Sequence, residues 1–267
     1  MLICASAVAS TAAAAAAPPP IAQPTGKWVV EFEHERCTAA RAYSDGVTQF
    51  VLGFQPRPTL DLIEVIVAAP TAVRGMAFWN AQLWAGGNQR IDTTAIATTS
   101  AKPGASRYGM DVERKIFALL LRNPDLRIDS DQGPRLHVRL TDFPEVTETL
   151  KECEAGLLAE WGLSREMQES LASFPKPKAS LDAYFGNYDY PTKAGNRGAE
   201  GTVEARVTVN IDGKPTDCHI MRTSGNKELD DATCVNFVRR ARFEPARDKS
   251  GKPVVSPYVF RFSWYVG

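Results

Sequence analysis

At 267 residues the chain exceeds one average domain and suits two, at roughly 100–200 residues each. Hydrophobic residues at 44% and charged residues at 23% leave enough apolar material for a buried core. Lys+Arg and Asp+Glu both number 31. That neutrality argues against nucleic acid as a partner, because a polyanion binder carries a basic surplus to displace counterions from phosphates.

Residues 1–17 form an uninterrupted small and apolar run, followed by Pro18, Pro19 and Pro20. This pattern predicts the apolar region of a secretory signal peptide, with Ala-x-Ala cleavage choices from Ala12 to Ala17, although no basic residue precedes it. The competing reading is a weak uncleaved membrane anchor. The run is short and mostly alanine, where a spanning helix wants about 20 strongly apolar residues. Removing the signal takes Cys4 with it and leaves Cys37, Cys153, Cys218 and Cys234. An even set in an exported chain predicts disulfides, with three connectivities open. No C-x-x-C occurs, and His34 and His219 lack spaced partners for a tetrahedral site, so neither metal nor other cofactor is expected.

The composition shifts at Phe174-Pro-Lys-Pro-Lys178, where prolines remove backbone donors and lysines keep the segment solvated. Residues 174–182 are therefore expected to link a β-rich domain over 26–173 to a second domain over 183–267. In the first, residues 27–33 alternate through Trp28, Val30 and Phe32 as a half-buried strand does. Residues 48–54 and 60–67 continue the pattern around Pro56 and Pro58, and 76–84 and 89–98 flank a turn-rich gap. Val112, Lys115, Ile116, Leu119 and Leu120 follow a helical period that ends at Pro124. Residues 135–140 make one more strand. After Thr141-Asp142, a last helix puts Val146, Leu150, Cys153, Leu157 and Leu158 on one face. Cys37 and Cys153 are far apart in sequence, and we pair them as a hypothesis. Their bond would restrict the unfolded chain by about 3–5 kcal/mol, and a Cys37–Cys218 link would contradict it.

In the second domain, residues 202–211 alternate, with Val203, Ala205, Val207, Val209 and Ile211 on one face and polar residues on the other. Asp212-Gly213 signals a two-residue type I′ hairpin turn into a return strand over 215–223. Leu229, Ala232, Thr233, Phe237 and Val238 make a helical face, and residues 254–266 read as a long aromatic strand. The expected fold class is thus α+β. It comprises a C-terminal three-stranded antiparallel sheet with a packed helix, preceded by a separate β-rich domain with accessory helices. Cys218 on the second strand and Cys234 on the helix would pin helix to sheet.

Collinear pieces now accumulate: Tyr190-Pro191 with Ala194; Glu200-Gly201 with Val203; Val209 with Asp212-Gly213; Ser224-Gly225; Leu229-Asp230; residues 239–246; and Gly251 with Pro253-Val254. Over about residues 186–266 the chain resembles the TonB C-terminal domain family. The resemblance implies a periplasmic module that binds a short peptide near the N-terminus of an outer-membrane receptor, added as a strand beside the last strand of the sheet. Val259, Phe260, Arg261, Phe262 and Ser263 would be the centre of that contact, with Arg261 steering an acidic or polar peptide. Full-length members carry a motor-coupled spanning helix and a long Pro/Lys/Glu-rich spacer, where this chain has an alanine run and a folded domain. Ala241 stands where an aromatic is usual, and Asp189 where some members place a receptor-contacting Gln.

Catalytic signals are few. His34, His137 and His219 read as surface or structural residues, and no G-x-S-x-G, P-loop, G-x-G-x-x-G or H-E-x-x-H occurs. The arginines of residues 239–247 read as a solvated face among Asp231, Glu244 and Asp248. The sequence therefore points to a periplasmic protein-binding protein, not an enzyme, associated with TonB-dependent transport. The alternative is an envelope scaffold or accessory binding protein with no energy-transducing role. Membrane contact would run only through residues 1–17, and a homodimer through the last strand stays open.

Overall fold

The computed structural model describes residues 18–32, 35–71, 73, 75–99 and 104–265. The predicted signal segment, His34 and Val266 lie outside the described residues. Ten strands come first: β1 (Ile21–Pro24), β2 (Val29–Phe32), β3 (Cys37–Ser44), β4 (Gln49–Arg57), β5 (Leu62–Ala69), β6 (Met76–Ala85), β7 (Gln89–Thr99), β8 (Ser106–Glu113), β9 (Asp125–Ser130) and β10 (Leu136–Arg139). Nine of them close a barrel in the order β1-β10-β9-β6-β7-β8-β5-β4-β3. Antiparallel pairing of Gln23 and Pro24 with Ser44 and Tyr43 returns β3 to β1. The strands are mixed, because β1 runs parallel to β10 while the other barrel pairs are antiparallel. The remaining strand, β2, lies on the other half of the same β3 edge.

Closure buries the inward residues completely. Tyr43, Leu52, Phe54, Ile63, Val65, Leu83, Met110 and Ile128 are among them. Helices α1 (Lys115–Arg122) and α2 (Phe143–Glu160) join this core, with Phe117 and Phe143 meeting Phe54 at ring distances of 5.3–5.6 Å. The predicted helical start at Val112 is too early, because β8 continues to Glu113. Cys37 bonds Cys153, so β3 is tied to α2 across 116 residues. After the short helix α3 (Arg165–Ser170), strand β11 (Leu171–Ser173) and strand β12 (Lys176–Pro177) carry the proline-lysine stretch onward.

The C-terminal part follows α4 (Thr192–Gly195). It comprises β13 (Gly201–Val209), β14 (Pro215–Arg222), α5 (Lys227–Arg240), β15 (Phe243–Glu244), β16 (Ala246–Asp248), β17 (Pro253–Val254) and β18 (Ser256–Trp264). The sheet order is β14-β13-β18, while β11 pairs with β16 and β12 with β15. The β13–β14 turn is wider than the expected type I′ form: Asn210 N–H donates to the Lys214 carbonyl, and Gly213 has φ +75°. A Cβ at Gly213 would lie 2.0 Å from the Phe243 carbonyl oxygen, so both the backbone angle and the close approach require glycine. Asn226 caps α5 by accepting from the amides of Glu228 and Leu229. Cys218 bonds Cys234 and fastens α5 to β14.

The expected fold class needs correcting in two respects. The β-rich part is a closed mixed barrel of nine strands, and it is not separate from the C-terminal sheet. The polar face of β13 lies against the outside of the barrel. Arg57 on β4 donates to Glu204 on β13, and the Thr59 hydroxyl accepts from the Val259 amide on β18. Strands β4 and β5 are consequently covered on both faces, with Gln55, Arg57 and Glu64 buried outside the barrel wall. The two charges can sit there because Glu204 and Arg261 of the sheet lie against Arg57 and Glu64.

Candidate partner-binding site

Along β18 the side chains alternate between two surroundings. Tyr258, Phe260, Phe262 and Trp264 face α5 and the residues before β13. Phe260 stacks on Phe237 with ring centres 3.6 Å apart, and Phe262 stacks on Phe185 at 3.7 Å. The Trp264 indole N–H donates to Thr233 Oγ1 at 2.8 Å. These aromatics are core packing. Val259, Arg261 and Ser263 face the barrel instead.

The barrel-side contact is a buried charge cluster. Glu64 is fully buried, and its Oε2 lies 3.1 Å from Arg57, 2.9 Å from Arg107 and 2.9 Å from Arg261. Burial pushes this carboxyl up, but the guanidiniums of Arg57 and Arg107 outweigh it and hold the pKa at about 2. Arg57 also reaches Asp111 at 3.2 Å, and Arg36 and Arg222 stand 3.9 and 4.0 Å from Glu204. Burial would depress the Arg57 guanidinium, yet Glu64, Glu204 and Asp111 raise it overall. Gly109 makes room for the cluster, since a Cβ there would fall 2.1 Å from Glu64 Oε1.

The backbone of β18 carries the feature with binding chemistry. Its other edge pairs with β13 from Gly201↔Trp264 to Val209↔Ser256. The Val259 amide donates to Thr59 Oγ1 at 2.8 Å, so it points away from β13. In an antiparallel ladder this direction alternates, so the N–H and C=O groups of Arg261 and Ser263 also point outward. Among the described residues, neither has a backbone hydrogen-bond partner on that side. The sheet edge is thus closed at Val259 and open at Arg261 and Ser263.

Two clefts flank the open stretch. One, about 620 Å³, is walled by Phe185, Tyr190, Pro191, Phe262 and Trp264. The other, about 750 Å³, is walled partly by the barrel through Met76, Phe78, Ile96 and Asp111. Ser263, Tyr265 and Asp182 line both. Exposed Tyr265 and Phe78 meet edge-on with ring centres 6.1 Å apart at the rim.

The residues expected at the site divide. Val259 and Phe260 are each 1% exposed and unavailable as side chains, whereas Arg261, Phe262 and Ser263 line clefts. Arg261 is committed to Glu64. Asp189 is engaged within the chain, accepting from the Gly186 amide and Arg240, with the Arg240 hydrogen bond holding its carboxyl below the usual range. His137 lies 3.0 Å from both Asp125 oxygens, and His219 lies 3.3 Å from Glu35. The barrel's Thr59, Met76, Phe78 and Asp111 carried no sequence signal, because only closure of the barrel brings them beside β18. The Ser224-Gly225 and Leu229-Asp230 motifs acquire a structural reason. Asp230 accepts from the Ser224 amide, the Ser224 hydroxyl and the Thr223 hydroxyl, fixing the turn before α5. Among the described residues, no group of three or more His, Cys, Asp or Glu side chains is placed to hold a metal ion, and no helix is long and apolar enough to cross a membrane.

A family model described as Gram-negative bacterial TonB protein C-terminal matches residues 186–266. Protein tonB2 of Pseudomonas aeruginosa is 42% identical over 59 residues, which is 22% of this chain and 22% of that protein. The matched stretch is therefore a small part of either chain. The family match over residues 186–266 holds the three-stranded sheet, α5 and the open edge of β18, and these residues are a TonB C-terminal domain.

Proposed function

We propose that this protein is a periplasmic binding protein of TonB-dependent outer-membrane transport, which captures the N-terminal peptide of an outer-membrane receptor by adding it as a strand to β18. The observation that carries the reading is the unpaired outward backbone of Arg261 and Ser263, set between two clefts. An open edge supplies hydrogen bonds to any extended chain, and the flanking clefts supply side-chain preference. The role is binding, not catalysis. Domain boundaries near 26–173 and 183–267 belong to the same proposal, with residues 174–182 between them.

A second reading, an accessory or scaffold protein with no energy-transducing role, is favoured by one observation. The barrel sits directly against the TonB C-terminal domain through Arg57–Glu204, where transducers resembling this domain carry a long spacer.

Ser263→Pro tests the binding mode. Its amide points away from β13, so proline removes no ladder bond, yet it removes a donor that an added strand needs. Titration with synthetic receptor N-terminal peptides should show binding to wild type and Ser263→Ala, and about tenfold weaker binding to Ser263→Pro. Equal affinity for all three would rule strand addition out.

A further inference from the structure

The cleft on the barrel side has a charge character opposite to the one expected from Arg261. Successive side chains of an added strand point to opposite faces. A peptide lying along Arg261 and Ser263 would therefore alternate between the aromatic cleft and the barrel-walled cleft. The aromatic cleft calls for apolar side chains. In the barrel-walled cleft the one arginine among the described residues, Arg261, is held 2.9 Å from buried Glu64. The carboxylates there are Asp111, Asp182 and Glu200. Asp182 is exposed, and among the described residues no cation pairs with it. Asp111 keeps 38% of its side chain exposed while it contacts Arg57. The stems of Met76, Phe78 and Ile96 offer an apolar floor along which a long basic side chain can lie with its charge at the rim.

We propose that the segment captured by β18 carries a lysine or arginine opposite Ser263, its cation directed to Asp182 and Asp111, with apolar residues immediately before and after it seated in the aromatic cleft. This rests on the strand-addition reading and adds its specificity. The barrel thereby forms half of the recognition surface, and Thr59 fixes where the added strand must stop, because it already holds the Val259 amide.

The test uses acetylated and amidated heptapeptides of alternating valine and threonine, with Lys, Gln or Glu at the centre, added to the full protein. Fluorescence anisotropy gives the affinities, and the Ser263 amide resonance reports the location. The Lys peptide should bind about fivefold more tightly than the Gln peptide, with Glu weaker still, as expected of a partly exposed ion pair. Asp182→Asn, an exposed position, should abolish most of the preference for Lys over Gln. If the three peptides shift Ser263 with equal affinity, or the preference survives in Asp182→Asn, the basic-residue inference falls and strand addition stands. If no peptide binds or shifts Ser263, the strand-addition reading falls, and the inference with it.

Discussion

Replacing Arg57 with methionine tests whether the charge cluster holds barrel and sheet as one cooperative structure. The Arg57 side chain is 4% exposed and bonds Glu204, Glu64 and Asp111. Without it, Glu64 keeps Arg107 and Arg261, each at 2.9 Å. Among the described residues Glu204 keeps Arg36 at 3.9 Å and Arg222 at 4.0 Å, although it is 2% exposed. Removing one partner of a buried ion pair costs about 3–5 kcal/mol, because the other charge is left uncompensated. The two partners remaining to Glu64 place the expected loss at the lower end, about 3 kcal/mol. Glu204→Gln removes the stranded charge, so the double variant should recover about 1–2 kcal/mol relative to the sum of the single losses. Urea is the suitable denaturant, since guanidinium would screen the charges under test. Trp28, Trp79 and Trp84 report on the barrel and Trp264 on the sheet, and one shared transition is expected. A loss under about 0.5 kcal/mol for Arg57→Met would refute the reasoning, because that is the range of ordinary surface changes. So would strictly additive losses or two separate transitions.

Three further outcomes follow from the same geometry. The Glu64 carboxyl falls from an ordinary value of 4.5 to about 2 on folding, so its stabilisation is complete above the ordinary value and is lost as pH falls through the folded one. The loss should be about 3 kcal/mol, seen as a drop in urea midpoint between pH 5 and pH 2 that Glu64→Gln lacks. Thr59→Val should cost about 1–3 kcal/mol by stranding the Val259 amide, with Thr59→Ser near wild type in the same urea titration. Replacing Cys37 and Cys153 together by alanine should cost about 4–5 kcal/mol, and Cys218 with Cys234 about 3 kcal/mol, because the first bond closes the longer loop; mapping non-reduced peptides checks the pairing first.

Legibility in the sequence followed the strength of local pattern. The alternation from Val203 to Val209 identified β13, and the motif pieces from Tyr190 to Val254 named the C-terminal domain before any geometry. Strands β3 and β8 were not anticipated, because Arg41 interrupts the apolar alternation of one and Gly109 that of the other. Arg41 is 9% exposed and donates to the Gly26 and Thr141 carbonyls, while Gly109 gives space to Glu64. Strand β9 was hidden by its length and charged flanks, and β1 by lying among the prolines next to the predicted signal. Closure of a barrel depends on which strands meet across long separations, and side-chain alternation is silent on that point. The charged face of β13 gives no sign of its burial in the sequence for a related reason. Alternation shows which residues share a face, but a buried ion cluster and a wet surface produce the same polar pattern.

Strand addition to β18 turns on two amides, Arg261 and Ser263, and residue-resolved hydrogen exchange with and without a receptor N-terminal peptide reads both. Strand addition slows exchange at both amides in the complex and leaves the Val259 amide, already bound to Thr59, unchanged. Protection confined to β14, the other edge of the sheet, or binding without protection at Arg261 and Ser263, would contradict it.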